Sequence, residues 1–189
     1  MAINAQNGGM MKPVEKSRGI LWYAEAGDVA TETITADADL ASIGLTEAGA
    51  VTTDGVTIES NAGDTETYLD WNGVTFDSSE STSSPTVTFA LLEVLGENAA
   101  ALVYASSAIT ADEDGNVTAI TGTANPTNKT LVLDTRIKNR RVRVVMPVAS
   151  FSARGDDEYS NEDLYAWEVT YSILSDSEGN DIIRLFADV

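Results

Sequence analysis

One change of hydrophobic period, within residues 82–104, constrains the fold of this chain more than any other feature. Val87, Phe89 and Leu91 alternate with polar or small residues, which is the pattern of a strand with one buried face. Around Gly96 the pattern changes, and the apolar residues take the three- and four-residue spacing of a helix. They form the predicted stripe Leu95, Ala99, Leu102 and Val103. The stretch therefore predicts a strand followed by one short amphipathic helix ending at Tyr104.

The other strong segments have the pattern of strands. Residues 165–173 form the longest strict alternation in the sequence and predict a central strand. Residues 142–148 also alternate, but Pro147 cannot donate to a ladder, so we expect an edge or a bulge there. The apolar run at residues 19–26 predicts a first strand. The helix then has only a sheet to pack against, and the sequence predicts a mainly β fold with one flanking α-helix.

Turn signals divide these strands. Asp54-Gly55 and Asn72-Gly73 each predict a turn between strands, the former a hairpin, and residues 112–116 and 176–180 predict two more turns. The acidic residues of 112–116 resemble the start of a Ca²⁺ loop, but the closing glutamate and flanking helices of an EF-hand are missing, so a hairpin turn is favoured. We expect an N-terminal arm over residues 1–18 and one β domain over residues 19–189. The arm and the aperiodic segment 28–43 are expected to be mobile in the monomer and to order on assembly.

Composition excludes much chemistry. The chain has no Cys and no His, which removes thiolates, imidazole bases and most zinc sites. Its net charge is −19, and no Lys or Arg occurs from Gly19 to Asn128, which disfavours tight binding of nucleic acid. No apolar run of eighteen residues or signal-peptide core is present, so we expect cytosolic synthesis and no membrane segment. We expect no cofactor and no bound metal.

Two charged clusters are candidate sites. The basic cluster concentrates five of the eleven cations in eight residues: Arg136, Lys138, Arg140, Arg141 and Arg143. It could be a solvated hairpin face, a nucleic-acid patch or a subunit contact, and we favour the contact because each copy brings complementary acids. The first acidic candidates are Asp156, Asp157 and Glu158. Such carboxylates can also do acid/base work, but nothing supplies a nucleophile or oxyanion donor, so we expect no enzyme.

A tripeptide used by some adhesins occurs at Arg154-Gly155-Asp156, in an acidic loop. Coincidence is the favoured interpretation. The alternative it supports is an adhesion or receptor-binding β-sandwich on a virion or cell surface.

Several stretches together resemble the major tail tube proteins of long, non-contractile tailed bacteriophages. They are GILWYAEAG at 19–27, IGLTEAGAVTTDGVTIES at 43–60, Trp71 with Gly73, TVTFALLE at 86–93 before the helix, and RVRVVMPVASF at 141–151. The resemblance covers most of the chain. One departure is Ala105, where a glycine would be expected after the helix.

The resemblance implies a β-sandwich or partial barrel with one flanking helix and an extended N-terminal arm, assembled as stacked hexameric rings. The tube would lie in the virion tail, be made in the host cytoplasm and carry DNA without binding it specifically. By the same resemblance its partners are further copies, a tape measure protein in the lumen, and tail terminator and distal tail proteins at the ends. An acidic lumen would repel DNA. The expected lumen-lining acids are Glu59, Glu66, Asp70, Asp77 and Glu80.

Overall fold

The computed structural model describes residues 11–14, 19–60, 65–80, 84–157, 159–160, 162 and 164–188. In these ranges the strands are β1 (Met11–Pro13), β2 (Leu21–Glu25), β3 (Thr46–Glu47), β4 (Val51–Glu59), β5 (Thr65–Leu69), β6 (Thr75–Glu80), β7 (Thr86–Leu91), β8 (Ile109–Ala111), β9 (Val117–Ile120), β10 (Lys129–Ile137), β11 (Arg140–Arg154), β12 (Trp167–Leu174) and β13 (Ile183–Asp188). The α-helix, α1, spans Glu97–Ala100, and 3-10 turns occur at Thr31–Thr33 and Ser106–Ala108. The fold is mainly β with one short helix, as predicted.

The long strand β11 joins two layers of a β-sandwich. Its first part, through Val145, pairs with β10 on one edge and β13 on the other. Its second part, from Val148, pairs with β12. The first layer is therefore β3-β2-β10-β11-β13, with β1 beside the end of β10, and the second layer is β11-β12-β7-β4. The predicted central strand, β12, lies between β11 and β7.

Pro147 lies where β11 changes partners from β13 to β12. Proline has no backbone N–H, so it cannot take part as a donor at this point. Opposite it the ladder to β10 is irregular, between Lys129 and Leu131, and the Thr130 hydroxyl donates to the Pro147 carbonyl oxygen at 2.8 Å. The predicted irregularity is confirmed, and β11 as a whole lies between other strands, becoming an edge only beyond Ala149.

The main core lies between the two layers. Leu131 and Met146 contribute from the first layer, and the second layer contributes the alternating apolar residues of β7 and β12. The Phe89 and Tyr171 rings stack with centroids 6.1 Å apart, and Phe151 meets the Tyr171 ring edge-on at 5.7 Å. Burial of these alternating faces holds the layers together.

The helix is shorter than predicted, but its packing explains the sequence pattern. Irregular turns follow α1, and the Tyr104 amide donates to the Ala100 carbonyl oxygen at 2.8 Å. Ala99, Ala100, Leu102 and Val103 are buried in the main core. Including Leu95 in the stripe is wrong, because it precedes the helix and is exposed. No glycine is needed at Ala105, because its φ of −63° and ψ of 143° are those of extended backbone that any residue adopts.

Segment 28–45 packs on the other face of the first layer. Val29, Ile34, Leu40 and Leu45 are buried against a cluster that includes Trp22. The expectation that residues 28–43 order only on assembly is wrong, because these side chains are buried within one subunit. The expectation that the N-terminal arm is mobile in the monomer is likewise wrong for Met11–Pro13, because this strand pairs with β10 of the same subunit.

The turns follow the sequence with one exception. Hairpin turns join β5 to β6 and β8 to β9 at the predicted places, and the turn predicted at residues 176–180 lies between β12 and β13, which pair with other strands. Asp54-Gly55 does not form a hairpin turn, because β4 continues through it as a bulge. The pairing of β4 with β7 slips between Val51 and Val56, and Gly55 has a φ of +81°.

Candidate assembly surfaces

The β5–β6 hairpin exposes an unusual amount of apolar surface. Within the described residues these two strands pair only with each other, outside the two layers. Trp71 is 101% exposed and Phe76 is 83% exposed. The exposed apolar residues of the hairpin are Tyr68, Leu69, Trp71, Val74 and Phe76. An apolar patch of this kind marks a surface that another molecule covers.

The tip of this hairpin is held by Asp70. Its Oδ1 accepts hydrogen bonds from the Asn72 amide at 2.8 Å and the Val74 amide at 2.9 Å. The bond from the Val74 amide is the main cause that lowers the pKa of the Asp70 carboxyl. Gly73, with a φ of +78°, completes the turn. The tip is therefore ordered before any partner binds.

The same turn occurs twice more. Asp112 and Asp176 each accept amides two and four residues further on, at 2.8 to 3.0 Å. In each turn the fourth residue is glycine with positive φ. The shared spacing, Asp followed by Gly three residues later, is a sequence signal that was not recognised above.

Small polar side chains cover most of the outward face of the second layer, and Val148 and Leu174 lie at one end of it. Hydroxyl residues form rows across its four strands, and the Thr88 and Thr170 hydroxyl oxygens lie 3.0 Å apart. These hydroxyl residues are Thr57, Thr86, Thr88, Ser150, Thr170 and Ser172. The carboxylates on this face are Glu59 and Glu168, both exposed, and none of the described Lys or Arg residues lies on it. Glu168 was not among the predicted acids.

Both edges of the second layer are open. In the described part of the chain β4 pairs only with β7, so its other edge has no partner strand. Beyond Ala149, β11 pairs with β12 on one side, and its last contact with β10 is at Ala149 itself. A four-stranded layer with two open edges can be extended by strands of other molecules.

The five predicted lumen acids do not share one surface. Glu59 lies on the outward face of the second layer. Asp70 and Asp77 lie on the β5–β6 hairpin, and the backbones of Glu66 and Glu80 belong to the same hairpin. The single acidic wall predicted for these residues is therefore divided between two surfaces, and Asp70 is used as a turn residue.

Arg143 is not at a surface. Its side chain is 1% exposed, and its Nη2 lies 3.1 Å from Oδ2 of Asp134, its register partner on β10. Its Nη1 donates to the carbonyl oxygens of Thr35 and Ala38, the latter at 3.0 Å. The prediction of a subunit contact is wrong for this residue, because its own chain encloses the guanidinium.

The rest of the basic cluster lies around this site. Arg141 is partly buried, with its Nε 3.4 Å from Oδ1 of Asp134 and its Nη1 donating to the Ala36 carbonyl oxygen at 3.3 Å. Arg140 is exposed and lies 3.4 Å from an Asp188 oxygen. Arg136 is half-buried at the end of β10, and Lys138 is exposed in the turn after it. For these residues the subunit contact stays a prediction.

Asp157 belongs to an aromatic cluster of its own subunit. It accepts hydrogen bonds from Arg154 and from the Tyr165 hydroxyl, the latter at 2.6 Å, and the Tyr165 bond is the main cause that lowers the pKa of its carboxyl. The Arg154 guanidinium lies 5.6 Å from the centre of the Tyr104 ring and 5.7 Å from that of Trp167. Asp156 is exposed, and Glu158 lies outside the described residues. Arg154 is therefore held inward, away from the position of an adhesion ligand.

Within the described ranges, no group of three or more acidic side chains is arranged to hold a metal ion. No helix in those ranges is long and apolar enough to span a membrane. Comparison of the sequence with protein-family models found no match. A comparison with curated proteins found none either.

Proposed function

We propose that this protein is a structural subunit that polymerises into a hollow tube, as the resemblance to major tail tube proteins of long-tailed bacteriophages implies. The observation that carries the proposal is the second layer, which has four strands, two open edges and a small polar outward face. The subunits form stacked rings, six to a ring by the resemblance, and the tube conducts DNA from the virion into the host.

The open edges favour closure into a ring. An exposed edge invites pairing with any other strand, and closing copies into a barrel leaves no edge open. Pairing the β4 edge of one copy with the β11 edge of its neighbour is a head-to-tail contact, which generates a ring when the rotation closes. The outward face of the second layer then forms the wall of the lumen.

The chemistry of that face suits a passage for DNA. Lys and Arg would hold phosphates and slow the passage, and none of the described ones lies there. Threonine and serine hydroxyls hold water, while Glu59 and Glu168 repel a polyanion. The protein binds DNA at no specific site. The tape measure, terminator and distal tail proteins are its further partners by the resemblance.

The adhesin alternative finds less support. An Arg-Gly-Asp ligand requires an accessible arginine, whereas Arg154 stacks on Tyr104 and Trp167 and pairs with Asp157. No specific observation favours receptor binding over assembly.

Electron microscopy of the purified protein in negative stain tests the proposal. Rings or hollow tubes should appear as the protein concentration rises, with a parallel increase of mass in sedimentation experiments. Discrete particles of one subunit at all concentrations and salt conditions would contradict the tube and favour the adhesin.

A further inference from the structure

We propose that the β5–β6 hairpin of one copy places its apolar tip in a groove beside β1 and the β4 bulge of a second copy. The inference rests on the self-assembly proposed above and names the two surfaces that meet. It differs from the pairing of open edges, because the hairpin lies outside the two layers and makes the contact through its side chains, while β4 contributes its bulge to the groove.

The hairpin is the inserting element. Trp71 and Phe76 are exposed on an ordered tip, and Asp70 fixes the turn without any partner. Large aromatic side chains on a preorganised element lose little conformational freedom on binding, which makes them effective anchors.

The groove has a volume of about 330 Å³. Lys12, Ile20, Val56 and Leu133 line it together with the bulge at residues 52–55. A small apolar cluster containing Leu133 and Val56 continues beneath it. This volume is near the lower limit of pockets that hold a small ligand, so it suits one aromatic side chain rather than a whole strand. The bulge that replaces the predicted turn therefore helps to form the groove.

Charge distinguishes this groove from a larger one. A groove of about 630 Å³ lies between segment 27–36 and β13, but its lining includes Glu32, Asp176 and Glu178. The hairpin carries acidic residues and no cation, since Lys and Arg are absent from Gly19 to Asn128. Acidic surfaces repel one another, so the larger groove is disfavoured.

The smaller groove has no such excess of acids. Its charged lining residues are one cation, Lys12, and one carboxylate, Asp54. The acidic hairpin therefore meets less repulsion here than at the larger groove, and Lys12 offers it a cation. Because the two surfaces differ, the contact is head-to-tail and can propagate from copy to copy.

Tryptophan fluorescence tests the inserting side. The chain has three tryptophans, and Trp22 and Trp167 are 5% exposed, so Trp71 is the one open to solvent. Association should shift the emission of Trp71 to shorter wavelength and protect it from quenching by acrylamide. The variant Trp71→Phe should lose this change. Trp71→Ala should raise the concentration needed for association at least tenfold, as for a hot-spot residue. Leu95→Ala, on an exposed residue outside the hairpin, should leave that concentration unchanged. A Trp71 that stays open to acrylamide in the assembled protein would overturn the proposal.

Disulfide trapping tests the accepting side, because the chain has no cysteine of its own. Val74→Cys chains are mixed with isotope-labelled Thr53→Cys chains under mild oxidation. The control mixture pairs Val74→Cys with Thr31→Cys, which lies at the larger groove. We expect mixed dimers between positions 74 and 53 and none between 74 and 31.

The other possible outcomes distinguish the proposed hairpin contact from the proposed tube. Crosslinks to position 31, or none to position 53 while tubes form, overturn this contact and leave the tube intact. Crosslinks to position 53 without hollow tubes support the contact and contradict the tube. A chain that neither associates nor crosslinks at any concentration contradicts both.

Discussion

Asp134 of β10 and Arg143 of β11 face each other across one ladder and form an ion pair enclosed by protein, with Nη2 and Oδ2 3.1 Å apart. The remaining donors of the guanidinium reach the carbonyl oxygens of Thr35 and Ala38. The pair therefore fastens segment 28–45 to the first layer, in addition to the apolar burial of Ile34 and Leu40. It ties a segment without regular structure to the fold.

Replacing Arg143 by Leu should lower the free energy of unfolding by about 3 kcal/mol or more. The change leaves the carboxylate of Asp134 without its buried ion-pair partner. It also removes the donors to the carbonyl oxygens of Thr35 and Ala38. Urea unfolding measures the effect. The matched control is Arg140→Leu, which breaks the exposed pair with Asp188 and should cost no more than about 1 kcal/mol. Equal losses in both variants would contradict the structural role of Arg143.

Replacing Tyr171 by Phe should destabilise the protein by about 1 to 3 kcal/mol. The Tyr171 hydroxyl donates to the Leu102 carbonyl oxygen at 2.5 Å, and this buried acceptor would lose its donor. The bond connects β12 to the turns after α1, so hydrogen exchange there should also become faster. Tyr159→Phe, on an exposed ring, should change stability by less than about 0.5 kcal/mol. An unchanged stability of Tyr171→Phe would show that packing alone holds the helix.

The strands could be predicted from the sequence, whereas the second core cluster could not. Alternation identified β7 and β12, because each has one face on the core. Val29, Ile34, Leu40 and Leu45 have no helical or strand spacing, so their burial was not apparent. One signal was present: the unbroken apolar run of β2 indicates a strand covered on both faces, and this segment is what covers the second face.

The candidate surfaces could be predicted only in part. Arg141 and Arg143 alternate with valines, which is typical of a solvated face. Their burial depends on Asp134 being their neighbour across the ladder, and register over this distance is not encoded by local spacing. Similarly, the Asp-Gly pair at 54–55 favours a hairpin, but continued pairing of β4 with β7 outweighs that preference. Glu168 was missed because its strand was interpreted only through its apolar face.

Tyr23 should ionise near pH 12, well above the ordinary tyrosine value of about 10. Burial is the main cause of the raised pKa, and the nearby carboxylates of Glu25 and Glu97 add to it. Because the folded pKa is above the unfolded one, the stabilising contribution is complete below about pH 10 and is lost as the pH rises toward 12. Ultraviolet titration of tyrosinate measures this, and Tyr23→Phe should remove one late-ionising group. Ionisation of every tyrosine near pH 10 in the folded protein would contradict the assignment.

Reversing the charge of the proposed lumen wall should slow DNA passage without preventing assembly. Glu59 and Glu168 lie exposed on the outward face of the second layer. Lysines at both positions would attract phosphates, so particles assembled with Glu59→Lys and Glu168→Lys should eject DNA several-fold more slowly. The defect should decrease as salt rises, because ions screen these contacts. The control is Glu113→Lys, an exposed acid in the β8–β9 turn, outside this face. A second comparison is Asp77→Lys: since Asp77 lies on the hairpin, this change should impair assembly rather than ejection. If ejection is slowed by Asp77→Lys in intact tubes and not by the Glu59 and Glu168 pair, the hairpin rather than the second layer faces the lumen.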